Sequence, residues 1–279
     1  MNNLLREWSE SAKSWRDHSA TVRTMFAPVT TALIEAARIS AGQSVLDVAG
    51  GPGEPSLTIA EIVGPPGTVT YTDAVAEMVA AAEEEGKRRG VSNVRFQQCV
   101  AESLPFADDS FDVTVSRLGV MLFSDPAVAL REMLRVTKPQ GALCFVVWGD
   151  NQRNPFTSSV TKVVSRYVDT PAEDADAPGA FRFAEPGKLA RLLTQAGATD
   201  VQERELNFRI AAPIDIEQFW EMRSTMSGTL REKLATLSPE KARQVALEVQ
   251  EAVREFFPNN QMNFPAHMLI VSGRKIPPT

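Results

Sequence analysis

The amino-acid sequence predicts an α/β fold built on a doubly wound, mostly parallel sheet. Three observations carry this prediction. Short apolar runs alternate with amphipathic helical segments between residues 44 and 148. Three glycines, Gly50, Gly51 and Gly53, closely follow the first apolar run, Val45–Val48. This order is expected for a tight turn between a buried strand and a helix. An acid, Asp73, ends the next apolar run.

The composition is that of an ordinary globular protein that does not bind nucleic acid. The chain has 279 residues, is 43% hydrophobic and 23% charged, and carries a formal net charge of −6. A phosphate backbone normally requires a basic face, so we expect no nucleic-acid partner. No apolar run approaches the length of a membrane span, and we expect none. Cys99 and Cys144 fall in predicted strands and read as reduced core residues, which predicts a cytoplasmic protein without a metal site.

The amino-terminal segment predicts helical structure. Apolar side chains including Leu5, Trp8, Ala12 and Trp15 share one face over residues 4–38, and we expect the apolar stripe to break at Pro28. We assign residues 1–40 to an amino-terminal helical lid.

The central segment predicts the core of the sheet. Asp125 and Pro126 give one helix a clear start, as a cap and a first-turn residue. The predicted strands are 44–48, 68–72, 94–99, 111–116 and 142–148, and the predicted helices start near 55 and cover 76–89 and 126–136.

The carboxyl-terminal half predicts a helical insertion between two late strands. A loop with one short helix near 156–168 covers 149–180, a helix covers 186–196, and strands cover 206–210 and 268–272. Residues 215–257 are predicted helical, with Asp215 and Ser238 as caps. We therefore assign a core to residues 41–212 and 264–279, and a cap over the substrate mouth to residues 213–263.

The glycine turn and the acid after the second strand predict a nucleoside-like ligand. Glycines let a backbone approach a ligand closely, at Gly50, Gly51 and Gly53. An acid in the position of Asp73 can accept both hydroxyls of a ribose, as in nucleotide-binding α/β proteins.

Four segments in order identify a resemblance. After the turn come Glu102–Phe106, Asp109–Ser116 and Leu134–Gly141, at close spacing. Together they resemble class I S-adenosylmethionine-dependent methyltransferases, and within them the ubiquinone/menaquinone-biosynthesis-like branch that methylates small molecules. The resemblance covers roughly residues 40–150. It implies a Rossmann-like sheet of seven strands, with the last two antiparallel, and S-adenosylmethionine as the cofactor.

The resemblance also implies which residues hold the cofactor. Ala49 stands in the place of the family's first glycine, and Val100 stands where an aspartate would accept the adenine amine. Met78 either flanks the adenine or belongs to the core, and Glu102 either meets the ring edge or is an exposed loop carboxylate. The implied cofactor-binding residues are Asp47, Ala49, Gly50, Gly51, Gly53, Asp73, Ala74, Met78, Val100, Ala101, Glu102 and Ser116.

Methyl transfer is an in-line displacement that depends mainly on positioning, so catalytic residues are harder to identify. Arg117, at the end of the fourth strand, either orients an anionic or carbonyl-bearing substrate or pairs with an acid. His18 is either an acid/base candidate on the lid or a surface histidine.

Two rival functions remain. A nicotinamide-dependent oxidoreductase shares the turn and the acid, but the third glycine of the dinucleotide fingerprint is missing. A non-catalytic S-adenosylmethionine-binding protein is the second rival. For an enzyme we expect a small, apolar or aromatic acceptor. Large apolar side chains on the predicted lids favour it, namely Trp8, Trp15, Met25, Phe26, Phe219, Trp220, Met222 and Met226.

Overall fold

The computed structural model describes residues 3–169 and 174–276. Residues 170–173 of the predicted 149–180 loop lie outside the described part of the chain. The chain divides into two compact units. The sheet unit comprises Pro28–Gly149, Pro178–Leu206 and Met268–Thr279, and the helical unit comprises Met1–Ala27, Asp150–Ala177 and Asn207–His267.

A seven-stranded sheet confirms the predicted fold class. Its strand order is β3-β2-β1-β4-β5-β7-β6. The strands β1 to β5 pair in parallel, and β7 runs antiparallel to β5. The strands are β1 Ser44–Val48, β2 Thr68–Asp73, β3 Val94–Gln98, β4 Phe111–Arg117, β5 Thr137–Trp148, β6 Ala198–Ala212 and β7 Met262–Lys275. The order reverses between β1 and β4, so their carboxyl ends form the switch point where such sheets bind ligands.

Helices cover the central strands of the sheet unit and bury their side chains. In β1, Val45 and Leu46 are fully buried, as in strands covered on both faces. The helices are α3 Ser56–Val63, α4 Ala76–Arg89, α5 Pro126–Val136 and α7 Lys188–Gln195. The predicted cap of α5 is confirmed, because Asp125 accepts a hydrogen bond from the Val128 amide at 3.0 Å.

The helical unit has its own aromatic core. Phe156, Phe219 and Phe264 pack against one another with ring centroids 5.2 to 5.7 Å apart. Asp215 and Ser238 cap helices as predicted. The helices are α1 Asn3–Asp17, α6 Pro155–Val164, α8 Ile216–Met226, α9 Gly228–Ala235 and α10 Pro239–Val253. Throughout residues 3–169 and 174–276, no helix is both long and apolar enough to cross a membrane.

The amino-terminal helix break does not lie where the sequence predicts it. Helix α2 covers Ser19–Ala37 and contains Pro28, so the predicted break at Pro28 is wrong; the chain breaks at His18 instead. The side chains around the proline, Met25, Phe26 and Val29, are buried. Their packing stabilises the helix against the hydrogen bond that Pro28 cannot donate.

Strand β5 begins five residues before the predicted start at 142. The segment Lys138–Gly141 precedes the strand predicted at 142–148 and contains a proline and a glycine. It lies inside β5, where the pairing with β4 shifts register between Phe111 and Val113. A local irregularity of this kind accommodates a proline within a ladder.

Candidate cofactor-binding site

Three residues of the turn after β1 lie in the backbone region that favours glycine. Ala49, Gly51 and Gly53 all have positive φ angles, of 60°, 55° and 114°. A Cβ on Gly50 would lie 2.5 Å from the Tyr71 ring, whereas a Cβ on Gly51 would meet nothing within 4 Å. Gly50 is therefore required by packing, and the face of the turn at Gly51 is open.

Asp47 lies beneath this turn and is fully buried. Its Oδ2 accepts a hydrogen bond from the Ser56 hydroxyl at 2.5 Å. Its Oδ1 is buried and has no hydrogen-bond partner within residues 3–169 and 174–276. Burial raises the pKa of Asp47 to about 7, although Ser56 and the charge of Arg117 oppose the shift. Asp47 thus presents an acceptor that the described protein does not satisfy.

Asp73 ends β2 and holds the two neighbouring backbone segments. Its Oδ2 accepts from the Gly51 amide at 3.0 Å, and its Oδ1 accepts from the Val75 amide at 2.9 Å. Burial raises the pKa of Asp73, and these backbone N–H groups lower it. Each carboxylate oxygen can accept a further hydrogen bond, so two positions remain for the hydroxyls of a ribose.

Ala74 and Met78 follow Asp73 and differ in exposure. Ala74 is half-buried, and its carbonyl accepts from the Gln98 side chain at 3.1 Å. Met78 is only 2% exposed. This burial favours the core alternative for Met78 over stacking on a ring.

The segment after β3, residues 99–106, is anchored to the start of α5 by the Glu102 side chain. Val100 is exposed, Ala101 is buried, and Glu102 is half-buried. Glu102 accepts from the Asp125 amide at 3.1 Å, a bond that gives it a structural role.

Arg135 on α5 continues this anchoring, which the sequence did not reveal. Its guanidinium donates to the carbonyls of Leu104 and Phe106 at 2.9 and 2.8 Å, and Glu132 accepts from both Arg135 and the Leu104 amide. The spacing of Glu132 and Arg135 on one helix was the only available signal.

The end of β4 packs directly against the turn after β1. A Cβ on Gly119 would lie 2.5 Å from the Ser116 hydroxyl and 2.7 Å from the Ala49 Cβ. The hydroxyl of Ser116 is buried and has no hydrogen-bond partner in the described ranges. Two polar atoms that lack a protein partner, from Asp47 and Ser116, therefore lie on neighbouring strands at the switch point.

Arg117 links the site to the preceding helix. Its terminal nitrogens donate to the Thr30 hydroxyl at 2.8 Å and to the Glu54 carbonyl at 3.1 Å. Burial lowers the pKa of Arg117, opposed by the charges of Glu54 and Asp47. These hydrogen bonds favour positioning of the turn; orientation of an acceptor by Arg117 stays a prediction.

Glu54 is a buried acid that the sequence analysis missed. Arg89 donates to its Oε1 at 2.5 Å and Thr58 donates to its Oε2 at 2.8 Å. The pair is enclosed, with both side chains less than 10% exposed. It fixes the chain between the turn and α3.

The remaining predicted residues lie in the helical unit. His18 is half-buried at the junction of α1 and α2, and its role as an acid/base stays a prediction. Of the apolar lid residues, Trp8, Trp15 and Trp220 are half-buried. The others are core residues, namely Met25, Phe26, Phe219, Met222 and Met226.

Comparison with known proteins agrees with this geometry. A profile described as a methyltransferase domain matches residues 39–197, more than half of the chain. The chain belongs to this family. The matched range contains the whole candidate site, from the turn after β1 to the end of β4.

Individual relatives match the same region. An uncharacterised protein of Mycobacterium tuberculosis is 35% identical over 132 residues, covering 47% of each chain. The ubiquinone/menaquinone biosynthesis C-methyltransferase UbiE of Cellvibrio japonicus is 40% identical over 138 residues, 49% of this chain and 52% of that protein. The match thus spans about half the length of these curated relatives.

Solved structures share the fold. The YcgJ protein of Bacillus subtilis superposes with a TM-score of 0.59 at 22% identity, covering 89% of this chain and 98% of that one. At this identity the likeness establishes the fold alone.

Proposed function

We propose that the protein is an S-adenosylmethionine-dependent methyltransferase that acts on a small, largely apolar or aromatic acceptor. Membership of the methyltransferase domain family supports the reaction class. The chemistry of the switch point supports the cofactor.

The observation that carries this proposal is the set of polar groups left for a ligand at the carboxyl ends of β1, β2 and β4. The buried Oδ1 of Asp47 and hydroxyl of Ser116 have no partner in the described protein. Buried polar groups are nearly always hydrogen-bonded, so a ligand that supplies partners is expected here. An ammonium group suits Asp47, and vicinal hydroxyls suit Asp73.

The chain's own residues then bind and position. Asp73 would accept the ribose hydroxyls, and the open face at Gly51 would admit the ligand close to the backbone. Val100 and Ala101 would border the adenine, with backbone groups at the ring edge. Bound S-adenosylmethionine supplies a methyl group on a sulfonium. Holding the acceptor in line with that methyl, and excluding water, can supply much of the rate acceleration.

The proposed acceptor class is supported by aromatic side chains and net charge, and the proposed cytoplasmic location is supported by the two free thiols. The half-buried Trp8, Trp15 and Trp220 favour an apolar or aromatic molecule. The net charge of −6 disfavours nucleic acid as a partner. Cys99 and Cys144 are free thiols, which fits a reducing cytoplasm.

Calorimetry with S-adenosylmethionine, S-adenosylhomocysteine and NAD tests the cofactor. We expect the two sulfur compounds to bind and NAD to bind at least 10-fold more weakly. Preferential binding of NAD would support the oxidoreductase instead.

Transfer from trideuteromethyl-labelled S-adenosylmethionine to a panel of phenols, quinols and amines tests the reaction. We expect S-adenosylhomocysteine and an acceptor heavier by one labelled methyl group. Binding without turnover on any class of acceptor, including RNA and protein, would support the non-catalytic alternative.

A further inference from the structure

Arg223 is a cation that the helical unit holds without a counterion. It lies on α8 and is only partly exposed. Its Nε is buried and has no hydrogen-bond acceptor among residues 3–169 and 174–276. Other arginines of this unit are engaged: Arg209 donates to Asn263 at 2.7 Å, and Arg231 donates to the Thr225 carbonyl at 3.1 Å.

An aromatic ring backs the guanidinium. The Cζ of Arg223 lies 4.7 Å from the centroid of the Phe156 ring. Phe156 is itself 4% exposed and fixed by edge contacts with Phe219 and Phe264. The ring therefore holds one face of the guanidinium and leaves its N–H donors, which lie in the guanidinium plane, to other partners.

The acids on the packed helix α1 have other partners. Glu10 pairs with Arg231 at 3.4 Å, and Glu7 accepts from the Thr229 hydroxyl at 3.5 Å. Burial alone lowers the pKa of Arg223 to about 10, with no charged group contributing. Arg223 remains a cation at neutral pH, and its desolvation is not compensated by any acid in the described part of the chain.

We propose that Arg223 is the recognition site for the carboxylate of an aromatic or apolar acid. The planar fork of a guanidinium matches a carboxylate, and the ring behind it favours an apolar body. The inference concerns the helical unit alone and goes beyond the proposed function.

A matched pair of probes tests the charge without a mutation. We would titrate 3-phenylpropionate and 3-phenylpropionamide into the full chain by NMR, with S-adenosylhomocysteine present. The two probes share their body and differ in charge. The affinity for 3-phenylpropionate should exceed the affinity for 3-phenylpropionamide by a factor of about 10 or more. Equal binding of the two probes would overturn the proposal.

Substitutions then assign the preference to Arg223. R223M keeps an apolar contact with Phe156 and should bring the two probes to within twofold of each other. R223K keeps the charge without the fork and should retain part of the preference. R254M changes an arginine of the same unit whose side chain is 70% exposed, and should leave the preference intact. Retention of the full preference in a folded R223M protein would contradict the assignment.

The proposed function can fail separately. Calorimetry of S-adenosylhomocysteine on the wild type and R223M should give equal affinities. Absence of that binding in the wild type would reject the proposed cofactor, whatever the probes show. Normal binding without a carboxylate preference would reject only the role of Arg223.

Discussion

Replacing Asp73 with asparagine tests the core of the candidate site. The carboxylate accepts from the Gly51 and Val75 amides at 3.0 and 2.9 Å and would also accept two ribose hydroxyls. An asparagine side chain has one acceptor oxygen and one NH2 donor group. Its NH2 group would therefore face at least one of the N–H or hydroxyl donors that the carboxylate accepts. Losing charge-assisted hydrogen bonds costs about 1.5–3 kcal/mol, which corresponds to a roughly 10- to 150-fold weaker binding of S-adenosylhomocysteine. Calorimetry at constant salt measures this change.

Asp112→Asn is a matched control in the same sheet unit. Asp112 also accepts a backbone amide, from Ser44 at 2.8 Å, and it pairs with Lys138 at 2.7 Å. It lies near the amino end of β4, whereas Asp73 ends β2, so the two residues lie at opposite ends of the parallel strands. Both variants should lower the free energy of unfolding, but only Asp73→Asn should weaken binding. Affinity of Asp73→Asn within twofold of the wild type would refute the assignment of the ribose to Asp73.

Three further predictions concern β1 and the turn that follows it. The folded pKa of Asp47, about 7, exceeds the ordinary value of 3.8, so the folded protein binds the proton more tightly and stability falls as pH rises from about 4 to about 7. Urea unfolding of Asp47→Asn should lack this fall, which amounts to at most about 4 kcal/mol. An unchanged pH dependence would contradict the burial argument. Ala49→Gly should stabilise the protein by about 0.5 kcal/mol, because glycine relieves the strain of the positive φ angle by more than it adds to the entropy of the unfolded chain. A loss of stability above about 1 kcal/mol would refute this prediction. Gly50→Ala should destabilise it by about 1–3 kcal/mol through the clash with Tyr71, and thermal melting showing no loss would contradict the packing.

The sequence predicted the parts of the fold that local pattern controls. The glycine turn, Asp73 and the caps at Asp125, Asp215 and Ser238 each depend on residues a few positions apart, and the structure places them as expected. The break predicted at Pro28 was wrong, because the buried neighbours Met25, Phe26 and Val29 override the local preference of proline.

The missed parts of the site depend on contacts distant in sequence. Glu54 meets Arg89 across 35 positions, and Tyr71 donates its hydroxyl to the Gly51 carbonyl across 20. Gly119 is required only because Ala49 and Ser116 lie against it. No periodicity or spacing in one sequence reports such contacts, so a single sequence predicts the glycine turn and the strand ends better than the residues that support them.

A crystal structure with S-adenosylhomocysteine bound tests the central claim most directly. The account predicts both ribose hydroxyls within about 3.2 Å of the Asp73 carboxylate, and the amino group of the ligand bonded to Oδ1 of Asp47. It also predicts the ligand along the open face at Gly51. A ligand bound elsewhere, or with its ribose hydroxyls away from Asp73, would contradict the account.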